Sequence, residues 1–302
     1  MKTKKFHLTL GALILAFAIV VTSCKKKDKE ENDSDTTEAT DHGISENISS
    51  DITNIGSQAS DNNSGGLMAY KGINTAELLS GCATVKHDSI NKIDSVIFNN
   101  STCIDGRTRN GILIFDYSAS IHGAKHYRDP GFNCTVKSVN YVVDGHAINI
   151  ISKNIVNTTA LNFNPAETNL TWNMNAHIQI NKAAGGTIDY TCNRTKTLLN
   201  TNDANVYHGP ATAITWNLAR IGITGTANGT TAKGINFTAN TTSMMIRDFG
   251  ACNISGKHPF IQGALDFTPQ NKATRHLDFG NGSCDLDATV TINGKTHNIT
   301  LK

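Results

Sequence analysis

The chain is short of charge, of aromatic rings and of proline. Charged residues make up 17% of its 302 positions and aromatics 6%, and there are five prolines. The formal net charge is +2, so there is no basic footprint of the kind that nucleic acid requires. The one long apolar run, Leu8–Val21, is too short and wrongly flanked to span a bilayer as a helix. None of the cysteines stands in a Cys-x-x-Cys pair, which removes the usual sequence support for a zinc or thioredoxin-type site. No Gly-x-Ser-x-Gly elbow occurs, and an α/β-hydrolase nucleophile would need one. From Cys82 onward acids are sparse and sit mostly near turns, a poor supply for a carboxylate-pair hydrolase. These absences point to a chain that is not an enzyme, uses no cofactor and binds no nucleic acid.

What is present begins at the N-terminus. Lys2, Lys4 and Lys5 precede the apolar run, which ends in Val21-Thr22-Ser23-Cys24. Charge followed by an apolar stretch is the layout of a secretory signal. The last four residues resemble the lipobox of bacterial lipoproteins. That resemblance implies that Met1–Ser23 is removed and that Cys24 becomes the lipidated, palmitate-bearing first residue, with the membrane as partner through that lipid. Removing the leader takes three of the 27 Lys+Arg and none of the 25 Asp+Glu, leaving the mature chain close to neutral. Residues 24–42 follow as a charged tether, too polar to bury a core. Its Lys25–Glu31 run resembles the export signal of surface lipoproteins in Bacteroidota, although its basic residues come before its acids. The resemblance implies the outer membrane, with the cell surface favoured over the periplasmic face.

Ile44, Ile48, Ile52 and Ile55 recur at helical spacing, which predicts a short amphipathic helix over 43–60 with Asp41 as a cap. A linker over 61–81 contains Asn62–Gly66. From Cys82 the period changes to two. Leu170–Asn181 alternates apolar and polar without a break, the pattern of a strand with one buried and one wet face. Ile214, Trp216 and Leu218 read as another row, with a bulge near Ala219-Arg220 to restore the face. Asn110-Gly111, Asp144-Gly145, Gly185-Gly186, Asn228-Gly229 and Asn293-Gly294 read as hairpin turns. No helical stretch separates the rows, so parallel crossovers are disfavoured. The expected class is all-β: a β domain over 82–302 built as a long antiparallel meander, folded as a sandwich, an open barrel or a curved sheet.

Six cysteines follow Cys24: Cys82, Cys103, Cys134, Cys192, Cys252 and Cys284. In an oxidising compartment they read as one to three disulfides, the alternative being buried thiols. Phe98–Cys103 echoes Phe279–Cys284 at Phe, Asn, hydroxyl and Cys. Each segment has an earlier cysteine, so the echo favours Cys82–Cys103 and Cys252–Cys284, with Cys134 and Cys192 left over.

Candidate chemistry is thin. Asp278, Asn281, Asp285 and Asp287 surround glycines as hard oxygen donors, a weak calcium arrangement without the EF-hand spacing; a solvated turn is the simpler account. His122 and His126 with Asp129 could be metal ligands, but the stretch contains Gly and precedes Pro, which suits a polar loop. The Asp-Phe-Gly tripeptides at 248–250 and 278–280 lack every other kinase element and read as strand-end turns. Trp172 and Trp216 would be sugar platforms if exposed, but their parity assigns them to the core. Thr36, Ser89 and Ser95 stand in Asp-Ser/Thr contexts that resemble the O-glycosylation acceptors of Bacteroidota.

The polar faces are rich in Asn, Thr, Gln and Ser, groups that both donate and accept hydrogen bonds and so suit sugar hydroxyls. Taken together, the chain resembles the β-rich envelope lipoproteins of Bacteroidota, a resemblance that brings no activity with it. The expectation is a non-enzymatic lipoprotein with a binding or architectural role, contacting glycan at the cell surface. One alternative is a carrier of lipid or another apolar ligand in the concavity of a curved sheet. Another is a glycan-processing enzyme.

Overall fold

A computed structural model describes residues 35–61, 79, 81–209, 212–252 and 260–301. The leader, Cys24, most of the tether and nearly all of the 61–81 linker lie outside the described residues. Among the described residues there is one α-helix, α1 (Thr37–Asp61). It is followed by thirteen antiparallel strands in one unclosed sheet, each hydrogen-bonded to the next in sequence order. They are β1 (Ala83–Asp88), β2 (Ile93–Thr102), β3 (Thr108–Asp116), β4 (Asn133–Val143), β5 (His146–Asn157), β6 (Thr171–Asn181), β7 (Thr187–Leu198), β8 (Arg220–Thr230), β9 (Asn236–Asp248), β10 (Gln262–Pro269), β11 (Arg275–Asn281), β12 (Asp287–Ile292) and β13 (Lys295–Thr300). The meander is the open, curved form of the expected class.

The sheet curls around α1, and its inner rows pack on the helix from opposite sides. The helix differs from its sequence reading in length and in burial. It starts at Thr37, inside the presumed tether, where the Asp35 carboxylate accepts the Thr37 N–H at 2.9 Å and Glu38 sits at the positive end of the dipole. It does not dock by one apolar face. Ile44, Ile48, Ile52 and Ile55 are buried, but so are Ser45, Glu46, Ser49, Asp51, Asn54 and Gln58. Several hydroxyls are satisfied by the helix itself: Ser45 donates to the Asp41 carbonyl at 2.9 Å and Thr53 to that of Ser49 at 3.1 Å. Back-bonding of this kind lets small polar residues enter a helix interior. Both helix glycines stand at close approaches. A Cβ on Gly43 would lie 2.5 Å from Leu301, and one on Gly56 2.4 Å from Phe115.

Strand alternation holds through most of the sheet. On β6, Trp172, Met174, Ala176, Ile178 and Ile180 are buried, and the residues between them face outward. Asp144-Gly145 and Asn293-Gly294 are two-residue turns with positive φ at both positions, as such hairpins require. Two other turn readings are corrected. Asn110-Gly111 lies inside β3, where Gly111 (φ +93°) sits at a register shift against β4. Asn228-Gly229 lies inside β8. The positive φ that glycine supplies serves a bulge as readily as a turn. The row at Ile214–Leu218 is also not a strand: Trp216–Leu218 forms one 3₁₀ turn and β8 begins after it, at Arg220. The parity change came from that turn and not from a bulge.

Disulfides join Cys82 to Cys103 and Cys252 to Cys284, the two pairings favoured by the echo. Cys134 and Cys192, candidates for a third, are buried free thiols. Their strands, β4 and β7, are not neighbours in the sheet.

Candidate functional site

The interior holds a set of buried charges. Arg109, Lys153, Arg194, Lys196, Arg247 and Arg275 point inward from β3, β5, β7, β9 and β11, and none is more than 4% exposed. All reach α1. Arg109 bridges Asp51 (2.9 Å) and Asp105 (2.6 Å). Arg194 and the Tyr190 hydroxyl both donate to Glu46. Lys153 donates to the Ser49 carbonyl at 3.1 Å, Lys196 to Asn54 at 3.1 Å and Arg247 to Asn47 at 2.9 Å. Arg275 lies 3.6 Å from Glu38. An unpaired buried charge costs several kcal/mol, so helix and sheet depend on each other for charge balance.

Ionisation follows this geometry. Burial opposes the charge on Glu46, but Arg194 and His42 outweigh it and hold the carboxyl below its ordinary value. Burial likewise opposes ionisation of Asp51, and the Arg109 and Arg107 charges outweigh it. For Asp105 burial wins and its value rises. His42 packs among Tyr190, Phe237 and Phe267, and burial pulls it down to about 4. Arg247 is pulled down to about 10, again by burial.

The two ends of the sheet differ. At one end the connections are tight, and three of them hold the start of α1. Lys233 meets Asp35 at 2.6 Å, Lys272 meets Glu38 at 2.5 Å, and Lys182 meets Asp41 at 2.5 Å. The long connections 117–132, 158–170, 199–219 and 249–261 are all at the opposite end. There Lys196 lies 5.1 Å from the Tyr127 and Trp216 ring centres and 5.7 Å from that of Trp172. The Trp172 indole donates to the Tyr127 carbonyl at 2.8 Å. Both tryptophans are therefore buried around the chain's own lysine and present no outer platform. The concavity that an apolar ligand would occupy is filled by α1.

Among the described residues a cleft opens at the end of the sheet near β11–β13, with a volume of ≈ 750 Å³. β11 and β12 pair only as far as Asp278 and Thr289, and the cleft lies where they part. It gathers all four residues named for calcium, Asp278, Asn281, Asp285 and Asp287, together with Asn298 and Thr300. Their oxygens already have local donors. Asp278 accepts the Gly280 N–H, Asp285 the Asp287 N–H, and Asp287 the Thr300 hydroxyl, at 2.8–3.0 Å. Among the described residues no group of three His, Cys, Asp or Glu is placed to hold a metal ion.

His126 and Asp129 do meet, at 3.1 Å, with the same carboxylate oxygen capping the Lys125 and His126 N–H groups. His122 has φ +55° in the adjoining turn. Asp248–Gly250 starts at the last residue of β9, whereas Asp278–Gly280 falls within β11. Ser89 is exposed in the β1–β2 turn, while Ser95 is half-buried within β2, and Thr36 is half-buried beside the start of α1.

The inward cations were missed in the sequence. The available signal was parity: on β7, Arg194 and Lys196 continue the row of Ile188, Tyr190 and Cys192. The chain matches no protein-family model and no curated protein, and its structure matches no solved structure.

Proposed function

We propose that this chain is a non-enzymatic lipoprotein, anchored through Cys24 in the outer membrane on the cell-surface side, that binds glycan with the outside of its sheet. The observation that carries this reading is the allocation of charge. The inward cations are committed to α1, and the outward face of β5–β9 is lined mainly by hydroxyls and amides. The carboxylates nearest the long connections act as local caps. Asp129, Asp203 and Asp248 each accept a backbone N–H, a structural use. The tight-turn end holds the start of α1, so the anchored terminus enters the domain there. The long connections, where loops of this length usually carry function, leave the opposite end of the sheet.

Two measurements test this. Labelled palmitate fed to the native host should enter the protein and be lost in Cys24→Ser; label retained in that variant overturns the anchor. Protease applied to intact cells should digest the domain. Protection until the outer membrane is breached would place it on the periplasmic face.

A further inference from the structure

We infer that the outer face of β5–β9 is the glycan-binding surface, and that its ligand is an uncharged polysaccharide chain. This rests on the binding reading above and specifies its place and its ligand class. The strand register sets Asn154, Asn175, Asn193, Thr226 and Asn240 directly opposite one another in a single row across the five strands. The row beside it runs Ser152, His177, Thr191, Asn228 and Thr238. Neighbouring strands lie ~4.8 Å apart and same-face residues along a strand ~6.8 Å apart. The face is thus a two-dimensional lattice of amides and hydroxyls.

Charge decides what such a lattice fits. Soluble proteins commonly place Lys, Arg, Asp and Glu on about a quarter to a third of their surface. Over these two rows within β5–β9 there is none, and the acids beside them are each set against a histidine: Asp189 is 3.0 Å from the His177 ring, and Asp266, opposite Asn240 on β10, is 2.7 Å from that of His276. A polyanion or an acidic lipid surface gains no attraction here, and a cationic partner gains little. A neutral polymer dense in hydroxyls matches group for group, because each amide and hydroxyl offers both a donor and an acceptor. Asn175, Asn193, Asn228 and Asn240 make no side-chain hydrogen bond to another described residue, in contrast to the cleft carboxylates. Asn and Thr are short, so fixing them loses less rotamer freedom than fixing Lys or Glu. Weak contacts repeated along a row add up for a polymer far better than for a single sugar.

The test is affinity electrophoresis of the full mature chain carrying Cys24→Ser, through gels containing soluble mannan, a soluble β-glucan or dextran, with heparin as the polyanion control. The expected result is retardation by at least one neutral polymer and none by heparin. The triple variant Asn175→Ala/Asn193→Ala/Asn240→Ala, at exposed positions that leave the melting temperature unchanged, should weaken that retardation tenfold or more. A cleft variant, Asn298→Ala, should leave it intact. Retardation lost in the cleft variant and kept in the triple variant would overturn this surface while leaving glycan binding standing. Retardation by heparin alone would overturn the ligand class, and retardation by none of the neutral polymers would overturn both readings.

Discussion

Arg194 on β7 and Glu46 on α1 are 148 residues apart in sequence and form a hydrogen-bonded ion pair from which water is excluded. Tyr190 donates to the same carboxylate oxygen at 2.6 Å. Removing one partner of a buried pair leaves the other charge without compensation, at about 3–5 kcal/mol. Glu46→Ala should therefore lower the unfolding free energy by about that amount in urea titration. Glu46→Gln should lose less, since the amide oxygen can still accept from Tyr190. A loss under about 1 kcal/mol for the alanine variant would show that solvent reaches the pair.

Acid should loosen the helix through His42. His42 is neutral in the folded state because burial pulls it from 6.5 to about 4. A group with a depressed folded value contributes stability that is whole above the unfolded value and is lost as pH falls towards the folded one. The groups that face it are Glu46 on its own helix and Arg194 and Tyr190 on β7. The window is therefore pH 6.5 to 4, and the full loss across it is about 3 kcal/mol. His42→Leu should flatten the stability profile over that window. The lowered Glu46 carboxyl acts only below the ordinary carboxylate range, so its effect is separate. Parallel profiles for the variant and the parent between pH 7 and 4.5 would contradict the assignment.

The meander and both disulfides were legible because they rest on local signals: alternation, turn residues and a repeated Phe–Cys segment. The helix was legible only through its isoleucines. The roles of its acids, Glu38, Asp41, Glu46 and Asp51, were not legible, because their partners lie on strands and turns far along the chain. Those partners follow no local spacing, and a basic residue in an apolar row reads as a local exception. The same limit explains Asn110-Gly111. The dipeptide states that the backbone needs positive φ, but whether the chain reverses or bulges there depends on the strand opposite.

The two remaining thiols should behave as one buried pair of unlinked groups. Cys134 and Cys192 are free, and burial raises both thiols above their ordinary range, so neither is available as thiolate near neutrality. Native protein treated with iodoacetamide should take up no label at either position. Protein unfolded without reductant should take up label at both and at neither of the disulfide pairs. Mapping under non-reducing conditions would contradict this if a Cys134–Cys192 peptide appeared. Reduction of Cys82–Cys103, which closes a loop with a sequence separation of 21, should lower stability by about 3 kcal/mol.

Two glycines of the same Asn-Gly dipeptide should respond differently to alanine. Gly294 sits in the β12–β13 turn at φ +77° with nothing within 4 Å of an added Cβ. Gly294→Ala there carries only the strain of a positive φ, about 1 kcal/mol. Gly111 sits in the β3 bulge at φ +93°, and its Cβ would lie 2.2 Å from the Asn140 carbonyl oxygen on β4. The clash is with backbone, so no side-chain rotation relieves it. Asn140 itself has positive φ (+49°), which fixes that carbonyl in a paired distortion of both strands. Gly111→Ala should then cost ~3 kcal/mol or more, the strain plus a displaced ladder. Thermal unfolding of the two variants side by side separates the cases. Equal shifts would mean that the bulge relaxes as freely as the turn, and that the register shift between β3 and β4 is not held by the close approach at this glycine.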